Sequence, residues 1–428
     1  MLLAHGIGGR ADLPLSLTLV AYSAGSVLVL SFAALAWLWP KARWERVFVG
    51  RPLPDVLQGF LRLVAWPLRI VSVLLFGVAV YAAFTGPPDP LRNIAPSYLY
   101  VVVWVGFLFA SGVVGDVWRA IGPIPAIARA CGERGRKYTY GHWPAAVGLF
   151  AFTWLELVHP DAADPRIVGR ALVVYLALTL VGLGLWGRTW AREGDPFGTL
   201  FGLVAAMAPF YADEGGKIHV RPPLVGLATL RAQRGTVALV IVALGSTTYD
   251  GLARTRFWTG LVGNGGILVN TASLLWTIGA VYALYRLAVS LMPGLAGVPA
   301  DERDPDETAN AFVHSLIPIA LAYAIAHYFS LLVFEGQSFI ARLSDPAGGD
   351  TDLFGTAGWA ISYSALSANA IAYVQVGAIV LGHVAAVVLA HDRAVSRYPS
   401  KVATRTQYPM LAVMVAYTVG ALVILLGG

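Results

Sequence analysis

Apolar runs of about 20 residues, the length a helix needs to cross a bilayer, recur along this chain from Leu15 to Leu426. In hydrocarbon every backbone N–H and C=O must find its partner inside the protein, so such runs are read as helices. They fall at 15–38, 66–85, 98–114, 143–158, 167–186, 236–250, 266–292, 311–334, 368–391 and 410–426. The expected fold is therefore all-α: a polytopic integral membrane bundle of about ten transmembrane helices, one domain over residues 1–428. Composition agrees. Only 13% of residues are charged, against about 25% in soluble proteins, and mean hydropathy is +0.67.

The connections carry the orientation. Lys and Arg concentrate at 41–51, 119–137, 188–234, 286–303 and 393–405, all after odd-numbered spans. The positive-inside rule then puts both termini outside and these loops in the cytoplasm, which also accounts for the net charge of +6. The sequence holds no nucleic-acid-binding motif, and its single cysteine, Cys131, excludes an internal disulfide framework. The first ten residues lack a positive region followed by an apolar core, so no cleaved signal peptide is expected. Residues 116–130 read as an interfacial segment. Residues 196–211 are apolar but too short to span, so they are re-entrant or interfacial. Lys217–Arg221 alternates as a short strand, and the sixth span looks broken at Gly245–Gly251.

The eighth span is the unusual one. It runs from His314 through Pro318, Tyr323 and His327 to Glu335 and Gln337, and ionisable groups in hydrocarbon cost several kcal/mol unless they are paired or used. At about 100° per residue, His327 lies about 40° from Tyr323 and about 80° from Glu335, on one flank of a helix that Pro318 should kink. At the outer level His327 and Glu335 are joined by Glu156 and His159, an i,i+3 pair, and by Tyr249 and Asp250. His5, Asp345, Asp350 and Asp352 are further candidates there. Imidazoles and carboxylates at one depth are the ingredients of a divalent-metal site, zinc or similar. His327, Glu335 and Glu156 would be its ligands, with Asp250 or Tyr249 as acid–base or leaving-group stabiliser. Asp250 equally suits a turn or a cap beside Gly251. At the inner level His314 and His383 could hold haem or copper, or simply bond across helices. His391–Asp392–Arg393 reads as a solvated helix terminus.

Several of these stretches also carry a resemblance: Ala4–Arg10, Arg51–Pro54, Trp154–Glu156, Gly245–Gly251, His314–Gln337, Ser344–Pro346 with Asp352–Thr356, and Gly382–His383 through His391–Ala394. Over nearly its full length the chain resembles bacterial, largely actinobacterial, polytopic membrane proteins that carry the name fenitrothion hydrolase. The resemblance implies a bacterial cytoplasmic-membrane enzyme that hydrolyses an organophosphate triester and releases a phenol. The leading expectation is a membrane-embedded hydrolase in which metal-activated water attacks a small-molecule ester in an outward-facing pocket. The alternatives are a proton- or metal-ion-coupled transporter and a haem- or copper-binding membrane subunit. The lipid bilayer is the one partner the sequence specifies; it does not specify an oligomeric state.

Overall fold

The computed structural model describes residues 17–44, 50–131, 135–263 and 265–426; His5 lies outside them. The protein is about 74% helical, and each expected span coincides with a helix. In chain order these are α1 (Leu17–Leu38), α2 (Asp55–Thr85), α3 (Ile94–Val113), α4 (Trp143–Leu157), α5 (Pro165–Trp186), α6 (Pro196–Ala205), α7 (Thr236–Ala253), α8 (Ile267–Ala296), α9 (Leu316–Ser344), α10 (Ala368–Arg397) and α11 (Tyr408–Leu426). Of these, α6 is the short apolar piece between the fifth and sixth spans. Among the described residues seven helices are long and apolar enough to cross a membrane. Only 11% of the most apolar window of α2 and 22% of that of α8 is buried within the protein. Apolar helices so exposed would be unstable in water, so lipid must cover them: this is a multi-pass membrane protein.

The chain forms two compact units. Of the described residues, the first holds 51–131, 135–220 and 328–367, and the second 17–44, 50, 221–263, 265–327 and 368–426. Helix α9 gives its half up to His327 to the second unit and the remainder to the first.

In the first unit α2 packs on α5, and α6 packs on α3 and α4. The expected strand appears as β3 (Ile218–Val220), paired antiparallel with β1 (Arg51–Pro52) and β2 (Phe210–Ala212) in the order β1-β3-β2. The interfacial segment becomes two short helices, Val117–Ile121 and Pro123–Cys131. The chain before the apolar piece folds back against α5. The Trp190 ring stacks on Trp186 and lies so close to Gly182 that a Cβ there would be 2.2 Å from it. Asp195 then reaches Tyr175, whose hydroxyl donates to its carboxylate at 2.6 Å. From Trp186 to Tyr175 is eleven residues, or about 16 Å of helix. The chain thus doubles back along α5 before α6 leaves again, with Asp195 capping it through the Gly198 amide at 2.5 Å.

In the second unit α1 packs on α10 and α11, and α7 on α8. Ala24, Ala326, Ile379 and Leu422 form a buried cluster from four helices. Small residues set the spacing. At Gly382 on α10 an added Cβ would lie 2.2 Å from Ala322 Cβ and 2.8 Å from the Pro318 carbonyl of α9. Neither neighbour can swing aside, so Gly382→Ala should force the helices apart and cost about 1–3 kcal/mol, read as a fall in melting temperature. An unchanged melting temperature would contradict this packing.

One sequence expectation is corrected here. The sixth span is not broken: α7 runs unbroken through Gly245–Gly251. Ser246 and Thr247 bond back to the Ala243 carbonyl and Thr248 to that of Leu244, so the hydroxyls are satisfied within the helix. Gly245 admits the backbone of Ile278 on α8, where a Cβ would come within 2.8 Å of its Cα. At Pro318 the helical path changes form. A helix Pro305–Phe312 and a 3-10 turn Val313–Ser315 precede α9, and that turn contains His314, whose carbonyl Pro318 has no N–H to bond.

Candidate functional site

The residues the structure does bring together are His327, Asp250 and one that the sequence reading passed over, Arg254. All belong to the second unit. Because α7 continues to Ala253 and Arg254 caps its end, Asp250 and Arg254 stand four residues apart on one face. Asp250 Oδ2 lies 2.6 Å from His327 Nε2, and Arg254 Nη2 donates to Asp250 Oδ1 at 2.8 Å. The same Nη2 is 3.1 Å from His327 Nε2. The Asp250 and His327 side chains are 4% and 9% exposed, while that of Arg254 is 43% exposed. A guanidinium open to the surroundings thus covers a carboxylate–imidazole pair that is almost sealed. The signal was present in the sequence as the Asp250/Arg254 spacing, hidden by reading the helix as broken.

Polar groups continue inward from this pair within the same unit. Tyr323, one turn before His327, is buried, and its hydroxyl would be 3.3 Å from a Cβ at Gly251. Its ring centroid is 6.2 Å from that of Tyr417 on α11. The Tyr417 hydroxyl bonds Thr248 on α7, and its ring lies 6.2 Å from that of His383 on α10. His383 gives Nδ1 to the Ile379 carbonyl at 2.8 Å, and its buried Nε2 has no hydrogen-bond partner.

The other sequence candidates make contacts of their own. Tyr249 is buried on α7. Glu156 and Glu335 belong to the first unit. There Glu335 lies 3.9 Å from Arg342 of its own helix, and Glu156 is buried on α4. The helical Glu156/His159 pair does not form. Helix α4 ends at Leu157, and His159 Nδ1 instead accepts the Asp161 amide at 3.1 Å in a turn. Asp345 binds the Gly349 and Asp350 amides and the Thr351 hydroxyl, organising its own loop. Asp352 likewise accepts the Ala357 amide, and Asp350 lies 3.7 Å from Arg92. His314 and His383 are not bonded to each other: the buried His314 ring faces the Ala311 and Leu389 backbone, and His383 Nδ1 bonds the Ile379 carbonyl. His391–Asp392 is no solvated terminus: both residues are 1% exposed and tied to Trp39.

This donor set does not fit the expected metal. Among the described residues no three of His, Cys, Asp or Glu converge, and a divalent cation at His327 Nε2 would face the fixed positive charge of Arg254. Comparison with protein-family models, with curated proteins and with solved structures finds no match to this chain.

Proposed function

We propose that this is a proton-coupled membrane transporter in which His327, paired with Asp250 and covered by Arg254, takes up and releases the coupling proton. The observation that carries the reading is the third member of the cluster. Asp250 and Arg254 already neutralise one another, so structure alone needs no imidazole. A histidine added to a balanced ion pair, of which only the carboxylate is buried, changes the site from neutral to +1 with a single proton, and imidazole is the side chain that titrates nearest neutral pH. Ionisable residues kept in hydrocarbon mark proton paths. The exposure of Arg254 gives the pair one route to water, and Tyr323, Thr248–Tyr417 and His383 supply hydroxyls and an imidazole for the other direction.

The test is proton movement. Liposomes holding the purified protein, with a potassium–valinomycin potential and a trapped pH dye, should change internal pH faster than empty ones. His327→Gln should slow that rate at least about tenfold, the range attributed to one positioned acid–base group being about 100-fold or more. A rate matching empty liposomes, or one untouched by the substitution, would sink the proposal.

The carboxylate–imidazole contact of 2.6 Å favours a second reading, ester hydrolysis with the pair as general base and Arg254 stabilising a developing anion. Turnover of a p-nitrophenyl phosphotriester that disappears in His327→Gln, with no proton flux in liposomes, would select it.

A further inference from the structure

We propose that the stretch Leu353–Tyr363, in the connection from α9 to α10, lies in the bilayer interface, with Leu353, Phe354, Trp359 and Tyr363 set among lipid. These four side chains are between 58% and 71% exposed. One such residue alone is ordinary, but four in one short stretch call for something to cover them. The sequence around them does not suit a hydrated loop. No Asp, Glu, Lys or Arg occurs from Leu353 to His391, so the uncharged run begins 15 residues before α10 does. A water-facing segment of that length would carry about four charges at ordinary composition.

Hydrogen bonds set the depth, because they fold the stretch back along α9. The Leu353 amide donates to the Ser344 carbonyl at 3.0 Å, and Ser344 Oγ accepts the Phe354 and Thr356 amides at 3.1 and 3.2 Å. Thr356 Oγ1 donates to the Ile340 carbonyl at 3.2 Å, one turn earlier on the helix. Gln337 Oε1 then accepts the Ser362 amide at 2.9 Å, and the Tyr363 ring lies 5.5 Å from that of Phe334. While the chain advances to Tyr363 its partners retreat from Ser344 to Phe334, about 15 Å of helix. Phe334 closes the apolar run Leu331–Phe334, and Glu335 and Gln337 follow it. Trp359 and Tyr363 therefore reach the level where hydrocarbon gives way to headgroups, the depth at which amphipathic aromatic rings collect.

A crevice of about 460 Å³ between the stretch and α9 points the same way. It is lined by Gln337, Ile340, Gly358, Trp359 and Ala360. Its one polar side chain spends its amide nitrogen on the Val333 and Ser362 carbonyls and its oxygen on the Ser362 amide. The side chains left to meet an occupant are apolar, which suits a lipid chain and not a polar solute.

The experiment uses the full-length protein in phospholipid nanodiscs. Cys131 is the only cysteine, so Cys131→Ser followed by Phe354→Cys or Trp359→Cys places a single nitroxide on the stretch. A third variant, Glu214→Cys, puts the label in the exposed turn between β2 and β3 as a water-facing reference. Relaxation by oxygen, which concentrates in lipid, is compared with relaxation by a water-soluble nickel chelate. The oxygen-to-nickel ratio should be higher at both 354 and 359 than at 214. A ratio equal to that at 214 would place the stretch in water. Shielding from both reagents would mean that protein covers it, and either result overturns the inference. If one of the two labelled variants does not fold, the other decides. The readout involves no proton flux, so it stands or falls apart from the role of His327.

Discussion

Asp250→Ala lowers the melting temperature of the purified protein more than His327→Ala, and His327→Ala more than Arg254→Ala. The ordering follows from who is left behind. Removing Asp250 strands an imidazole that is 9% exposed beside a guanidinium, and breaking a buried pair from the carboxylate side costs about 3–5 kcal/mol. Removing His327 deletes one hydrogen bond to a charged group, about 1.5–3 kcal/mol, while Arg254 still balances Asp250. Arg254 is substantially exposed, and Asp250 keeps its imidazole in its absence, so its loss costs about 1 kcal/mol or less. The double variant Asp250→Ala/His327→Ala should be less unstable than the sum of the singles, by a coupling of about 0.5–3 kcal/mol. Strict additivity would mean that the 2.6 Å contact contributes nothing. The same series distinguishes pairing from proton handling: Arg254→Ala leaves the imidazole in place, so its stability loss should be small even where its flux changes.

What the sequence revealed follows what bilayers enforce. Apolar length fixed the helices, because hydrocarbon permits no other way to satisfy the backbone of a 20-residue run. The short run after Trp186 was legible as re-entrant or interfacial for the same reason, and Lys217–Arg221 as a strand from its alternation. The site was half legible: His327 and Asp250 stood out as ionisable residues in apolar surroundings, but their pairing required α7 to be continuous. Small and hydroxylated residues between 245 and 251 resemble a helix break in sequence and make a close-packed helix in the structure. Their hydroxyls bond to their own backbone, which no residue count reveals. His391 and Asp392 were misjudged because Trp39, which ties both, lies 352 to 353 residues away along the chain. A buried carboxylate and a solvated one have the same neighbours in sequence.

That misjudged pair yields the second large effect, an expected loss of about 3–5 kcal/mol in Asp392→Ala. The carboxylate is 1% exposed and accepts from the Trp39 indole at 2.8 Å, the Arg43 amide at 2.7 Å and the Trp44 amide at 3.1 Å. His391 holds the same segment from the other side, with Nε2 3.1 Å from the Trp39 carbonyl and Nδ1 3.2 Å from Gln407. The Arg43 guanidinium, 4.4 Å from the centroid of Trp39, closes over the clasp. The connection after α1 is thus fastened by charge-assisted hydrogen bonds at Trp39, Arg43 and Trp44. Alanine leaves three donors without an acceptor, and the segment should come loose before the helices do. Trypsin should therefore cut after Lys41 or Arg43 many times faster in Asp392→Ala than in the parent protein, with a parallel fall in melting temperature. Asp392→Asn, which keeps an acceptor oxygen, should fall between the two. Equal cleavage rates in all three proteins would show that lipid or helix packing, and not this carboxylate, holds residues 39–44 in place.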